Sequence, residues 1–215
     1  MAKQNFTEVV DSGGKREDFP SGSVRDTEDG KGSPCLIPWD TIDLLNSQKR
    51  VKILVGLNQG SCLSALSISL KNYSCCRSLR LSQANIYHHL GIAFRAAATL
   101  TILDAGEPLL IDSFDSITYA YRRLSQHYQN GARKYKTNNW RKGQPTSRYF
   151  NSCKRHVWSF IEGCEEEDHL AAILWNIVGM CRTHQDVTLG LLDSKFDDFP
   201  FTEEQWFGKK VVDDS

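Results

Sequence analysis

The sequence predicts a mainly α-helical protein, built as a helical bundle, and three observations lead to that prediction. Apolar residues recur at helical spacing over about 84–103 and 112–130. The stretch 155–176 has the pattern of a helix, a tight stop, an acidic cluster and a second helix. Finally, 215 residues with 40% hydrophobic content can bury one real core.

The composition of the chain argues against several classes of function. The formal net charge is zero, so no overall field recruits nucleic acid or an anionic membrane. No stretch approaches about 18 uninterrupted apolar residues and no secretory signal is expected, which favours a cytoplasmic protein. The cysteines are odd in number and lack paired CxxC spacing, which indicates reduced, mostly buried thiols rather than a disulfide or zinc framework. They are Cys35, Cys62, Cys75, Cys76, Cys153, Cys164 and Cys181.

The first part of the chain, residues 1–33, is predicted to be a flexible leader. It is rich in Gly, Ser, Asp, Glu and Lys and carries few large apolar groups. Arg25 and Lys31 lie among several glycines, so this segment is either a solvated tail or an arm that closes over phosphates.

A helical domain is expected over 34–190. Asp40 or Thr41 can cap a short first helix. The apolar run 53–57 fits either a buried strand or a turn of helix, and periodicity does not decide between them. The apolar face of 84–103 then predicts a long helix.

A long amphipathic helix is predicted over about 112–130, ended by the Asn-Gly pair 130–131. The segment 131–145, GARKYKTNNWRKGQP, is basic and includes Tyr135 and Trp140. Cations beside aromatic rings suit a ligand with phosphates and a base, because the cations neutralise phosphate while a ring stacks on the base.

The next helix follows Pro145 and is predicted to be capped by Thr146 or Ser147 and ended by Gly163. One side of it is apolar. The other carries charged and titratable residues, namely Arg148, Arg155, Glu162 and, at the border, His156.

The last helix is predicted to begin at Asp168, a good N-cap, directly after three glutamates. It is apolar on almost every side, so it is buried in a bundle or a subunit interface. His169 and Asn176 fall on one stripe of it, two turns apart. Buried polar side chains need partners, which are either other side chains and water or a metal or phosphate-bearing ligand. For each acidic residue the structural alternative is helix capping and solubility, and for Glu167 that alternative is preferred.

Four pieces of the chain, in order, are GKGSPCLIP, NGARKYKTNNWRKGQPTSRYF, KRHVWSFIEG and EEEDHLAAILWN. Together they resemble the phage-associated dATP/dGTP diphosphohydrolase N-terminal family, which is related to MazG-like all-α nucleotide pyrophosphohydrolases. The resemblance covers most of 111–180 and, more loosely, the region around 22–38. Residues 47–110 look like an insertion. Where the MazG-type signature has paired acidic residues on two helices, this chain ends the pattern with Asn176.

The resemblance implies hydrolysis of a purine deoxynucleoside triphosphate to monophosphate and pyrophosphate, with Mg²⁺ or Mn²⁺ as the divalent cation. The implied catalytic residues are Glu162, Glu165 and His156. The implied metal shell is Glu162, Glu165, Glu166, Asp168, His169 and Asn176. The implied substrate-binding residues are Lys134, Tyr135, Asn139, Trp140, Arg141, Lys142, Arg148 and Arg155.

Residues 191–215 form an aromatic and acidic tail, which is expected to dock on its own domain or on a neighbouring subunit. The resemblance also implies a homo-oligomer, a dimer or tetramer, and a role in phage nucleotide-pool remodelling in the host cytoplasm. The alternative hypothesis is a non-catalytic helical module that binds nucleic acid or another protein.

Overall fold

The structure is a computed structural model, and it divides the chain into two units, Met1–Lys31 and Gly32–Ser215. It describes residues 16–18, 24–26, 32–47, 58–78, 81–105 and 114–199.

The first unit contains two short strands, β1 (Arg16–Asp18) and β2 (Val24–Asp26). They pair antiparallel, with Arg16 opposite Asp26. This backbone pairing was not predicted. The rest of the unit lies outside the described residues, so the flexibility of the leader and a phosphate-covering arm stay predictions.

The second unit is helical over its described residues, which confirms the mainly α prediction; the relation to MazG-like proteins stays a prediction. Its helices are α1 (Trp39–Asn46), α2 (Gln59–Ser78), α3 (Gln83–Asp104), α4 (Phe114–Tyr135), α5 (Thr146–Glu162) and α6 (His169–Thr188). Short 3-10 turns lie at Pro34–Leu36, Asn139–Lys142 and Ser194–Phe196. None of the helices in the described part of the chain has both the length and the apolarity needed to cross a membrane.

The core is organised around α6, which packs against α3, α4 and α5, while α2 packs on α3. Its side chains at Leu170, Ile173, Leu174 and Ile177 are fully buried. A helix that is apolar on nearly every side has no face for solvent, so the others surround it. All seven cysteines are free, and Cys62, Cys76, Cys153 and Cys181 are buried.

At α4 and α5, one predicted helix end and one predicted cap are wrong. Helix α4 continues through Asn130 and Gly131 to Tyr135, because one interior glycine costs only about 1 kcal/mol and Lys136, with φ of 73°, supplies the left-handed residue instead. Helix α5 begins after Pro145, but neither Thr146 nor Ser147 caps it. The other boundaries of the junction are confirmed: Gly163 ends α5 with φ of 73°, and the Asp168 side chain caps α6.

The cap of α5 comes from the C-terminal segment. Asp198 Oδ1 accepts a hydrogen bond from the Ser147 backbone N–H at 2.9 Å, and Oδ2 accepts one from the Ser147 hydroxyl at 2.5 Å. The next residue, Phe199, is buried between the rings of Tyr73 and Phe150, at centroid distances of 5.6 and 5.1 Å. The chain after the last helix therefore completes the core beside α5.

At the ends of the second unit, one prediction is wrong and two others fall on residues outside the described ranges. Asp40 and Thr41 lie inside α1 rather than capping it. The run 53–57 lies outside the described residues, as do the tail aromatics Phe201, Trp206 and Phe207.

Candidate functional site

A cleft of about 880 Å³ opens beside α6. Helix α4 and the turn after it form one wall, α5 contributes Ser152 and His156, and the α5–α6 junction and the first half of α6 complete the site. Cavities that bind small molecules are typically about 300–1,000 Å³. The cleft is therefore large enough for a nucleotide.

One wall of the cleft is aromatic. The Tyr128 ring contacts Trp140 and Trp175 at centroid distances of 6.0 and 6.4 Å, and His127 lies 5.9 Å from Trp175. The Trp140 indole N–H is buried and has no hydrogen-bond partner among the described residues. Such a wall offers flat faces and a free donor to a heterocyclic base.

Asn176 lies on the α6 side of the cleft with only 1% of its surface exposed. Its amide nitrogen donates to the Ala172 carbonyl at 2.8 Å. Its amide oxygen has no partner within the described residues. Leaving a buried acceptor unpaired costs about 1–3 kcal/mol. A ligand donor in the cleft would satisfy this oxygen.

Two histidines and two glutamates meet at the α5–α6 junction. His156 Nδ1 lies 3.2 Å from His169 Nδ1 and 3.4 Å from a carboxylate oxygen of Glu167. On the other edge of its ring, His169 Nε2 lies 3.4 Å from Glu166. The left-handed turn at Gly163 reverses the chain, which brings the last turns of α5 beside the first turn of α6. Three of these groups, His156, Glu167 and His169, offer ligand atoms that all lie within 4.8 Å of one another.

The protonation of the two cleft histidines follows from burial. Burial lowers the pKa of His156, and the neighbouring His169 acts in the same direction, while Glu167 raises it. Burial likewise lowers the pKa of His127, against the carboxylates of Glu167 and Asp168. Both imidazoles therefore favour the neutral form near pH 7, in which one ring nitrogen carries a lone pair.

Asp168 is fully engaged within the protein. Arg123 donates to its two carboxylate oxygens at 2.7 Å each, and the Ala171 backbone N–H donates at 2.9 Å. Burial alone would raise the pKa of Asp168, but the hydrogen bonds from Arg123 and Ala171 outweigh it and the pKa lies below its ordinary value. Arg123 also donates to Asp104 at 2.9 Å. In this arrangement Asp168 ties α6 to α4.

About half of the predicted site residues line the cleft. These are His156, Glu166, Asp168, Asn176, Lys134, Tyr135, Asn139 and Trp140. His169 does not line the cleft, but its Nδ1 lies 3.2 Å from Nδ1 of His156, which does. The other predicted residues that do not line the cleft are Glu162, Glu165, Arg141, Lys142, Arg148 and Arg155. Arg141 instead lies over the Trp140 ring, 5.2 Å from its centroid.

Three residues that bear on the site were not predicted for it. Arg123 and His127 come from α4, and their spacing of four residues, which places both on one face of the helix, is the only feature of the sequence that could have linked them. Glu167, which was expected to serve capping and solubility, instead lies in the cleft beside His156.

Comparison with known proteins adds one finding. Residues 87–188 match a family model described as dATP/dGTP diphosphohydrolase, N-terminal. The matched segment spans most of α3 and all of α4, α5 and α6, so it includes nearly the whole cleft. It begins inside the 47–110 stretch that was predicted as an insertion. No curated protein and no solved structure matches the chain.

Proposed function

Because residues 87–188 belong to the dATP/dGTP diphosphohydrolase N-terminal family, we propose that the protein hydrolyses dGTP, dATP or both to the monophosphate and pyrophosphate. The observation that carries the proposal is the cleft, in which an aromatic wall and an unpartnered amide oxygen adjoin a cluster of imidazoles and carboxylates. One part suits a nucleoside and the other suits phosphates.

The nucleoside is placed against the aromatic wall. Trp140 and Tyr128 offer ring faces to a purine, and the free Trp140 N–H and Asn176 oxygen offer a donor and an acceptor to the nucleoside. Because a site with buried polar groups rejects ligands that leave those groups unpaired, these two atoms supply selectivity.

Charge on the triphosphate is neutralised by cations on the cleft wall. Lys134 lines the cleft beside Tyr135, with its ammonium group 5.0 Å from the ring centroid. Asn139 and Gln144, at the turn after α4, add amide groups within the same wall. The predicted contributions of Arg141, Lys142, Arg148 and Arg155 stay proposals, since their side chains lie outside the cleft lining.

The junction residues fit a divalent cation, for which Mg²⁺ and Mn²⁺ are the proposed ions. His156, His169 and Glu167 would hold it, because they are the described groups that converge within 4.8 Å. When bound, such an ion neutralises phosphate oxygens and lowers the pKa of a water molecule. Glu166, Glu165 and Glu162 are the carboxylates proposed to orient the attacking water or accept its proton.

The test is pyrophosphate release from the four canonical dNTPs and GTP, with Mg²⁺ or Mn²⁺ and with EDTA. We expect release from dGTP or dATP that EDTA abolishes. Glu167→Gln, which removes one of the proposed ligands, should lower activity by about 100-fold, and Lys134→Ala should raise KM by about tenfold. Lys154→Ala, which removes an exposed cation of α5 outside the cleft, should change neither constant.

Absence of pyrophosphate release from every nucleotide and metal would refute the hydrolase proposal. Salt-dependent DNA affinity that survives Glu167→Gln would then favour the nucleic-acid-binding alternative, because exposed Lys136, Arg141 and Lys142 cluster after α4.

The biological setting and assembly are also proposals. Remodelling of a phage nucleotide pool in the host cytoplasm accords with the family's dATP/dGTP chemistry. A dimer or tetramer would cover Trp158 and Ile161 of α5, which are 56% and 58% exposed. Light scattering of the purified chain measures the oligomeric state.

A further inference from the structure

The two histidines at the α5–α6 junction point to the chemical type of the cation. Mg²⁺ requires hard oxygen ligands in near-octahedral geometry and retains several waters. Mn²⁺ shares this preference for oxygen ligands, whereas imidazole nitrogens suit later first-row ions such as Co²⁺ and Zn²⁺. Among the described groups that converge here, two of three are imidazoles.

We propose that His156, His169 and Glu167 form a metal centre that binds Co²⁺ or Zn²⁺ in preference to Mg²⁺ and Mn²⁺. The metal-centre proposal rests on the proposed function only in placing a triphosphate beside the ion. Binding of the ion itself needs no nucleotide.

The spacing of the donors supports a shared ion. The two Nδ1 atoms are 3.2 Å apart. With metal–nitrogen bonds of about 2.1 Å, an ion equidistant from both would subtend an angle of about 100°, between the ideal octahedral and tetrahedral values. The Glu167 oxygen, 3.4 Å from His156 Nδ1, lies at a similar separation and would supply a third ligand.

The two ring nitrogens of His169 have different surroundings. Nδ1 faces His156 Nδ1, whereas Nε2 lies 3.4 Å from the Glu166 carboxylate and makes no hydrogen bond within the described residues. Histidines that bind metals usually direct their second nitrogen to a carboxylate, carbonyl or water, and Glu166 is the carboxylate placed near enough to take that position. The His169 side chain is only 3% exposed, so its orientation is set by the fold.

Charge at the junction also favours a cation. Glu165, Glu166 and Glu167 are consecutive, and their carboxylates offset the positive end of the α6 dipole. Arg123, the cation at the start of α6, is already paired with Asp168 and Asp104.

The experiment uses the full-length chain without an affinity tag, stripped with EDTA and desalted, in the absence of nucleotide. Titration with Co²⁺ is followed by the visible d–d absorption of the bound ion, and Mn²⁺, Zn²⁺ and Mg²⁺ are then added as competitors. We expect one Co²⁺ per chain, displaced by Zn²⁺, with Mn²⁺ competing less well than Zn²⁺ and Mg²⁺ needing at least about 100-fold higher concentration than Zn²⁺.

Variants locate the ion. His156→Gln and Glu167→Gln should each weaken Co²⁺ binding by about 100-fold. His88→Gln, which alters the other histidine pair of the chain, is the matched control and should bind as the wild type does. Thermal unfolding monitors folding of each variant, and Glu167 lies on an exposed turn where substitution leaves the core intact.

Two results would overturn the proposal: Mg²⁺ that competes at less than about 100 times the effective concentration of Zn²⁺, or Co²⁺ binding that is unchanged in both junction variants. A chain that binds Co²⁺ through these residues but releases no pyrophosphate supports the metal centre and overturns the hydrolase proposal, so the two failures are distinguishable.

Discussion

Asp168 combines two roles at the start of α6, and two substitutions separate them. Its carboxylate pairs with Arg123 of α4 and caps the Ala171 N–H of α6. Asp168→Asn keeps a cap acceptor and removes the charge, because asparagine is as good an N-cap as aspartate. Asp168→Ala removes both the cap and the charge.

The magnitudes follow from the exposure of the pair. Breaking a fully buried pair costs about 3–5 kcal/mol, whereas an exposed one contributes about 0–1 kcal/mol. The side chains of Arg123 and Asp168 are 19% and 35% exposed. We therefore expect Asp168→Asn to lower the free energy of unfolding by about 1.5 kcal/mol. Loss of the cap adds about 1 kcal/mol in Asp168→Ala. For a chain of this length the corresponding falls in Tm are about 5 °C and 8 °C.

The pH dependence supplies a second signature. The pKa of Asp168 is lowered in the folded state, so its contribution is complete above the unfolded pKa of about 3.9 and is lost as the pH falls through the lower folded value. Thermal unfolding by circular dichroism should show a constant difference between the wild type and Asp168→Asn from about pH 8 to pH 5, and a smaller one below about pH 4. Equal Tm values for Asp168→Asn and Asp168→Ala would refute the reasoning. A difference in Tm between the wild type and Asp168→Asn that grows in acid would also refute it.

Two further predictions concern packing and can be measured by urea unfolding. Gly179→Ala should lower the free energy of unfolding by about 1–3 kcal/mol, because the added Cβ would overlap the Tyr149 ring. Gly131→Ala in α4 should raise it by about 0.5–1 kcal/mol, because a Cβ there meets nothing within 4 Å. Changes of the same sign in both variants would contradict the packing argument. Asp198→Ala should lower the free energy of unfolding by about 1–2 kcal/mol, because it removes the cap of α5. Phe199→Ala should lower it by about 3–5 kcal/mol, because it leaves a cavity in the core. Wild-type stability in both variants would show that the segment after α6 does not dock.

The helices that the sequence predicts well are those whose signals are local. The apolar stripe of α3, the left-handed stop at Gly163 and the Asp168 cap all act within a few residues of themselves. The start of α5 is different, because its cap is Asp198, 51 residues along the chain from Ser147. No local pattern encodes such a partner. Capping by a distant carboxylate becomes visible only when the chain after α6 has folded back.

The same distinction applies to the site. The helix-stop-helix pattern predicts that carboxylates and histidines gather at one junction, and His156 and His169 do meet there. Which glutamate faces them depends on the irregular turn between α5 and α6, where no periodicity applies. For that reason Glu167, rather than Glu162 or Glu165, lies beside His156. Arg123 reaches Asp168 from α4 through tertiary packing, and no local sequence pattern links it to the residues of the α5–α6 junction.

The geometry of α6 also decides how the predicted metal shell can be divided. His169 and Asn176 share one stripe of the helix but are seven residues apart, which is about 10 Å along the axis. Ligands of a single ion lie about 2 Å from it, and paired ions lie only about 4 Å apart. We therefore expect an ion held by His169 and His156 to leave Asn176 outside its coordination shell, although the place of Asn176 in the metal shell stays a prediction. Under the proposed function, the unpartnered Asn176 oxygen would then contact another part of the substrate, and the distance between the two residues would separate a phosphate end from a nucleoside end of the cleft.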